Sequence, residues 1–133
     1  MQRRQFIELS AIGGTVILVT GISCSQRHSS LYDVLDQPEQ LAQICDLKTL
    51  REIGMDYRKQ TPAEMEAGKL KALLMSDSVG NQLPSNSDLS LIQKLLNKKI
   101  TEDFESGNIV VVKGWILSIT EARQCALLFV NNP

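Results

Sequence analysis

The change of hydrophobic period at Gly107 constrains the fold of this chain more than any other feature. Before it, apolar residues recur at helical spacing from Leu31 onward. Leu41 and Ile44 share one face of a segment beginning near Pro38; Leu47, Leu50, Ile53 and Tyr57 share one face of the next, with Asp46 between them as a cap. Thr61 as N-cap, Pro62 at the first helical position and Glu64 closing a capping box then open another helix, striped by Ala63, Ala67, Leu70 and Leu74. Gly80, Pro84 and two Asn mark Ser76 to Asn86 as a loop. A longer helix is expected from about Ser87 to Glu105. Ile92, Leu96, Ile100 and Phe104 follow at intervals of four, Leu89 and Leu95 broaden the face, and Lys94, Lys98, Lys99 and Glu102 form a solvated outer side.

Gly107 stops that helix, because glycine tolerates the left-handed backbone just past a helix end. The β-branched run Ile109-Val110-Val111-Val112, a turn at Lys113-Gly114 and the extended-compatible Trp115-Ile116-Leu117 then predict a small hairpin. Ser118 and Glu121 form a capping box for a last helix that carries Ala122, Cys125, Ala126 and Phe129 on one face. The expected fold class is mainly α: a small helical domain over 27–133 with one short β-hairpin before the last helix, preceded by a signal segment over 1–26.

Charge and residue chemistry narrow the function. With 14 Lys plus Arg against 15 Asp plus Glu in 133 residues, the chain lacks the basic excess that nucleic-acid binding requires. Cys24, Cys45 and Cys125 have no metal-ligand spacing, and the only His, His28, stands in the polar stretch Gln26 to Ser30, read as a tether. Glycine-rich phosphate loops are also missing. Ser118 and Thr120, close to Glu121 and Arg123, invite a nucleophile reading, but capping accounts for Ser118 and Glu121 and no His lies near in sequence. Cys125 falls on an apolar stripe and is expected in the core, Arg123 in a surface ion pair, and pairing of Cys45 with Cys125 is left open. No catalytic, cofactor-binding or metal-binding residue is assigned, and the chain is read as non-enzymatic.

The first 26 residues have a signal-peptide layout. A short charged stretch ends at Glu8, and Leu9 to Ser23 follow without a charge. Arg3-Arg4 with Phe6 and Ile7 resembles the twin-arginine export signal, with Gln2, Ile7 and Glu8 departing from its usual residues. Gly13, Gly14, Thr15, Thr20 and Gly21 dilute the apolar run, which favours that route over general secretion. Gly21-Ile22-Ser23-Cys24 resembles a lipoprotein cleavage box, in which the Cys24 sulfur would carry the lipid; an ordinary cut after Ser23 or Ser25, or an uncleaved anchor, are the alternatives. The resemblance implies export across a bacterial cytoplasmic membrane to a periplasmic or membrane-anchored location.

The twin-arginine route carries cargo that folds before export, often around a cofactor, yet no cofactor site is evident in the remainder of this chain. That mismatch suggests a protein that folds against a larger cofactor-bearing partner and supplies the export signal for both. Asp103-Phe104-Glu105, Gly107 and the run Val112 to Arg123 add a second pointer. With the leader, size and helical content, they make the chain similar to the small subunits of membrane-bound flavin-dependent sugar and alcohol dehydrogenases, of the gluconate and sorbitol/fructose dehydrogenase type. That resemblance implies a non-catalytic accessory subunit of an oxidoreductase complex, with partners in a larger dehydrogenase subunit and the twin-arginine export machinery. Partner contact is expected at Trp115, Ile116 and Leu117. A stand-alone envelope protein with a binding or structural role is the alternative.

Overall fold

The computed structural model describes residues 34–84 and 86–133. The export-signal residues Arg3, Arg4 and Phe6, the lipidation candidate Cys24 and the tether lie outside the described residues. Within them the chain is mainly helical, with one two-stranded antiparallel hairpin before the last helix, as the hydrophobic periods predict. No helix among the described residues is long and apolar enough to cross a membrane.

Helix α1 (Leu47–Gln60) begins where Asp46 accepts a hydrogen bond from the Thr49 backbone N–H at 2.8 Å. Leu50, Ile53 and Tyr57 face the core, while Lys48 and Lys59 stay in solvent beside Glu52 and Asp56. The segment before it corrects the sequence reading. Only a 3-10 turn forms, over Leu41–Gln43, and Ile44 is 70% exposed where a buried partner of Leu41 was expected.

The expected capping box at Thr61 does not form either. The Thr61 hydroxyl donates back to the Tyr57 carbonyl at 2.8 Å, Pro62–Glu64 make a 3-10 turn, and helix α2 starts only at Ala67, running to Leu74. Ala63 is consequently exposed, while Leu70 and Leu74 are fully buried. Glu64 is drawn away from the backbone by stronger partners described below.

Helix α3 (Leu89–Ser106) ends at Gly107, whose φ of 83° is the left-handed conformation read from the sequence. Its buried stripe is Ile92, Leu96 and Lys99, with Phe104 48% exposed. A spacing of four overshoots the 3.6-residue turn by about 40° each step, so the expected line through Ile100 and Phe104 drifts off the core while Lys99 rotates into it. The lysine assigned to the solvated side is 7% exposed.

Strands β1 (Ile109–Val112) and β2 (Trp115–Ser118) pair in antiparallel register, Val110 opposite Leu117 and Val112 opposite Trp115. Lys113 and Gly114, with φ of 51° and 85°, make the two-residue turn whose twist matches the strands. Helix α4 (Ile119–Asn131) then starts with a complete capping box, Glu121 N–H to Ser118 Oγ at 3.0 Å and Ser118 N–H to Glu121 Oε1 at 3.1 Å.

That last helix is the centre of the domain. It packs against α1, α2, α3 and the hairpin, and its buried positions include Thr120, Ala122, Gln124, Cys125, Ala126 and Leu127, more than the single face expected. A helix surrounded on several sides needs small residues where neighbours come close, and Gly54 of α1 meets α4 at the Cys125 carbonyl. Phe129 is half-buried beneath Arg58, whose guanidinium lies 5.5 Å from the ring centre.

Candidate functional site

The two faces of the hairpin differ sharply. Alternation along each strand turns Val112 and Leu117 inward, where they are 0% and 1% exposed, with Val110 and Trp115 half-buried against the same core. The opposite face presents Ile109, Val111 and Ile116, which are 44%, 57% and 63% exposed. Val111 and Ile116 are direct cross-strand partners, so the three residues form one continuous β-branched surface. Gln60 of α1 donates to the Val111 carbonyl at 3.3 Å and occupies part of the β1 edge.

This geometry redistributes the contact residues expected from sequence. Of Trp115, Ile116 and Leu117, only Ile116 looks outward; Leu117 is core and Trp115 packs against it. The period of two in a strand places consecutive residues on opposite faces, so three in a row cannot form one patch. Ile109 and Val111, overlooked as surface residues, complete the patch. Their signal was available in the β-branched run itself, which reads as a strand with two apolar faces where a small domain can cover only one.

Between α4, α1 and the turn before α2 lies a part-buried polar network. Arg123 donates from Nε to Glu64 Oε1 at 2.9 Å and from Nη2 to Oε2 at 3.0 Å, a two-pronged pair whose side chains are only 20% and 16% exposed. The Tyr57 hydroxyl adds a third bond to Glu64 Oε1 at 2.9 Å. Burial alone would raise the Glu64 pKa, but Arg123 and Tyr57 outweigh it and hold the carboxyl below its ordinary range. Burial, reinforced by the bond to Glu64, pushes the Tyr57 phenol up to about 12. The expected surface pair of Arg123 is therefore a part-buried bridge between α4 and the turn before α2.

Lys99 performs a second task in the same region. Its Nζ donates to the carbonyls of Leu73 at 2.6 Å and Leu74 at 3.4 Å, satisfying the end of α2 where helix carbonyls lack partners. Burial, followed by the like charge of Arg123, lowers its pKa to about 8. Asp103, one turn further on, accepts from the Thr120 backbone N–H at 2.9 Å and ties α3 to the first turn of α4.

Among the described residues Cys45 and Cys125 are unpaired: Cys125 lies in the core beside Gly54, and Cys45 lines an apolar groove of about 540 Å³ with Pro38, Leu47, Leu50 and Leu128. Burial raises the pKa of both thiols. Ser118 and Glu121 are occupied with each other as caps. Together these features define a small, mainly α domain with one apolar hairpin face. A comparison with known protein families, curated proteins and solved structures finds no match for the chain.

Proposed function

We propose that this protein is a non-catalytic accessory subunit, exported through the twin-arginine route, whose hairpin face docks a larger cofactor-bearing oxidoreductase subunit. The observation that carries the reading is the contiguous apolar surface of Ile109, Val111 and Ile116, held rigidly on a turn and strand pair whose other face is core. Removing such a surface from water contributes about 25 cal/mol per Å² of apolar area, and β-branched side chains lose little rotamer freedom on contact. Support for the exported location comes from the leader, Arg3-Arg4 with Phe6.

Affinity purification of the full-length protein from its native envelope, with mass spectrometry and a flavin absorbance scan, tests the reading. A flavoprotein lacking its own leader should be recovered in near-equal amount. Ile116→Glu should abolish that recovery without changing the far-ultraviolet circular dichroism spectrum. Arg3→Lys with Arg4→Lys should strand both proteins in the cytoplasm. Recovery of the protein alone, monomeric and colourless, overturns the proposal.

A further inference from the structure

Beside the base of the hairpin, the turn that follows α2, the middle of α3 and the first two turns of α4 enclose a polar cleft of about 420 Å³. Asp77, Lys99, Glu102, Asp103, Thr120 and Arg123 are among its walls. That volume lies in the range of small-molecule sites.

Thr120 is 1% exposed, yet among the described residues its Oγ1 makes no hydrogen bond. Burying a hydroxyl without a partner costs about 1–3 kcal/mol, so such groups are few, and one beside a cleft is a place where a ligand can complete it. The Oε1 atom of Glu102, a residue of the same cleft, is likewise buried and without a hydrogen-bond partner among the described residues, its sister oxygen lying 3.7 Å from Lys98. Two residues lining one cleft thus each keep an unpartnered oxygen just behind its wall, a hydroxyl able to donate and a carboxylate oxygen able only to accept.

The cations reinforce the pattern. Among the described residues no carboxylate lies within ion-pair distance of Lys99, whose bonds go to the Leu73 and Leu74 carbonyls, leaving a third N–H. Arg123 uses Nε and Nη2 on Glu64, leaving further donors on its guanidinium. Asp77 is held by the Val79 and Asn81 backbone N–H groups at 3.0 and 2.8 Å, which fixes the loop wall, and Asp103 is fixed by the start of α4. The cleft therefore offers unspent donors beside unspent acceptors, both signs of charge on rigid supports.

We propose that this cleft binds a small zwitterion of the amino-acid type, its carboxylate against Lys99, Thr120 and Arg123 and its ammonium against Glu102 and Asp103. A simple anion would satisfy the first group but face the carboxylates, and a simple cation would satisfy the second but face Lys99. Only a ligand carrying both charges relieves the two together. The site is separate from the hairpin face, so it stands whether or not a partner docks there.

Thermal shift and calorimetric titration of the full-length protein with glycine, alanine, glutamate and lysine, and with acetate and methylammonium as single-charge controls, test the assignment. At least one amino acid should titrate to saturation by calorimetry and raise Tm by about 10 °C at a hundredfold excess over its Kd. Acetate and methylammonium at equal concentration should not. Thr120→Val should weaken binding at least tenfold, and Glu102→Gln, on a partly exposed side chain, should do the same without disturbing the fold. No shift with any amino acid, an equal shift with acetate or methylammonium, or full binding in a folded Glu102→Gln protein overturns the proposal.

Discussion

Replacing Gly54 with Ala tests the central packing of the domain at a single atom. A Cβ on this buried glycine would fall within the Cys125 carbonyl group and 2.9 Å from the Ala126 nitrogen. Those are main-chain atoms of α4 and cannot rotate aside, so α1 and α4 must part by about 1 Å, forfeiting a quarter to a half of each contact's attraction. Inserted methyl groups in packed cores cost about 1–3 kcal/mol, and the rigidity of this neighbour puts the cost at the upper end or above. Alanine's better helix propensity offsets about 1 kcal/mol of that. The net expected loss is about 2–4 kcal/mol, or a fall in Tm of about 10–20 °C for a domain of this size. Thermal and urea melts followed by circular dichroism measure it. Gly68 supplies the internal control: it lies in α2 with nothing within 4 Å of an added Cβ, so Gly68→Ala should stabilise by about 0.5–1 kcal/mol. If Gly54→Ala melts at or above the wild type, the close approach of the two helices is wrong.

Removing Glu64 as Glu64→Leu strands the part-buried Arg123 guanidinium and should cost about 3–5 kcal/mol in urea unfolding. Adding Arg123→Met should recover most of that loss, and additive losses in the double variant would refute the bridge. Lys99 binds its proton less tightly in the folded state, with a pKa of about 8 against 10.5 for the free side chain. Between those values the unfolded chain holds more protons, so this group makes stability rise with pH. The raised pKa values of Tyr57 and Cys125 act oppositely at the alkaline end, so the Lys99 contribution is isolated as wild type minus Lys99→Met, which should increase from pH 8 to 10. A flat or falling difference refutes the buried ammonium. In a Cys24→Ser background, a thiol reagent should label half-buried Cys45 under native conditions and Cys125 only as fast as the protein unfolds. Prompt labelling of Cys125 would contradict its core position.

Much of the secondary structure was legible because its causes lie within four residues along the chain. Asp46 caps α1 through Thr49, Ser118 and Glu121 cap α4 through each other, and Lys113-Gly114 closes the hairpin. Thr61 and Glu64 matched the same local pattern and yet did not cap. Glu64 gains more from the distant Arg123 guanidinium and Tyr57 hydroxyl than from a backbone N–H, because charge-assisted bonds in a shielded setting are stronger. Lys99 had a readable signal, three residues after Leu96 and seven after Ile92 on the buried stripe, but its charge argued for solvent. What keeps it inside is the pair of carbonyls ending α2, about 25 residues away along the chain.

The sequence by itself determined helices α1, α3 and α4, the caps at Asp46, Gly107 and Ser118, the hairpin and the switch of period, but not the start of α2 or the turn before α1, because backbone geometry and capping act over one turn or one strand pair. Tertiary structure alone decided that α4 would be enclosed by its neighbours, that Gly54 would seat it, and which of the hairpin's two apolar faces would be covered, leaving Ile109, Val111 and Ile116 on the surface. It also gathered Lys99, Thr120 and Arg123 around one cleft. Those outcomes depend on which faces meet across long stretches of chain, where packing and desolvation outweigh the local preferences that composition and spacing express.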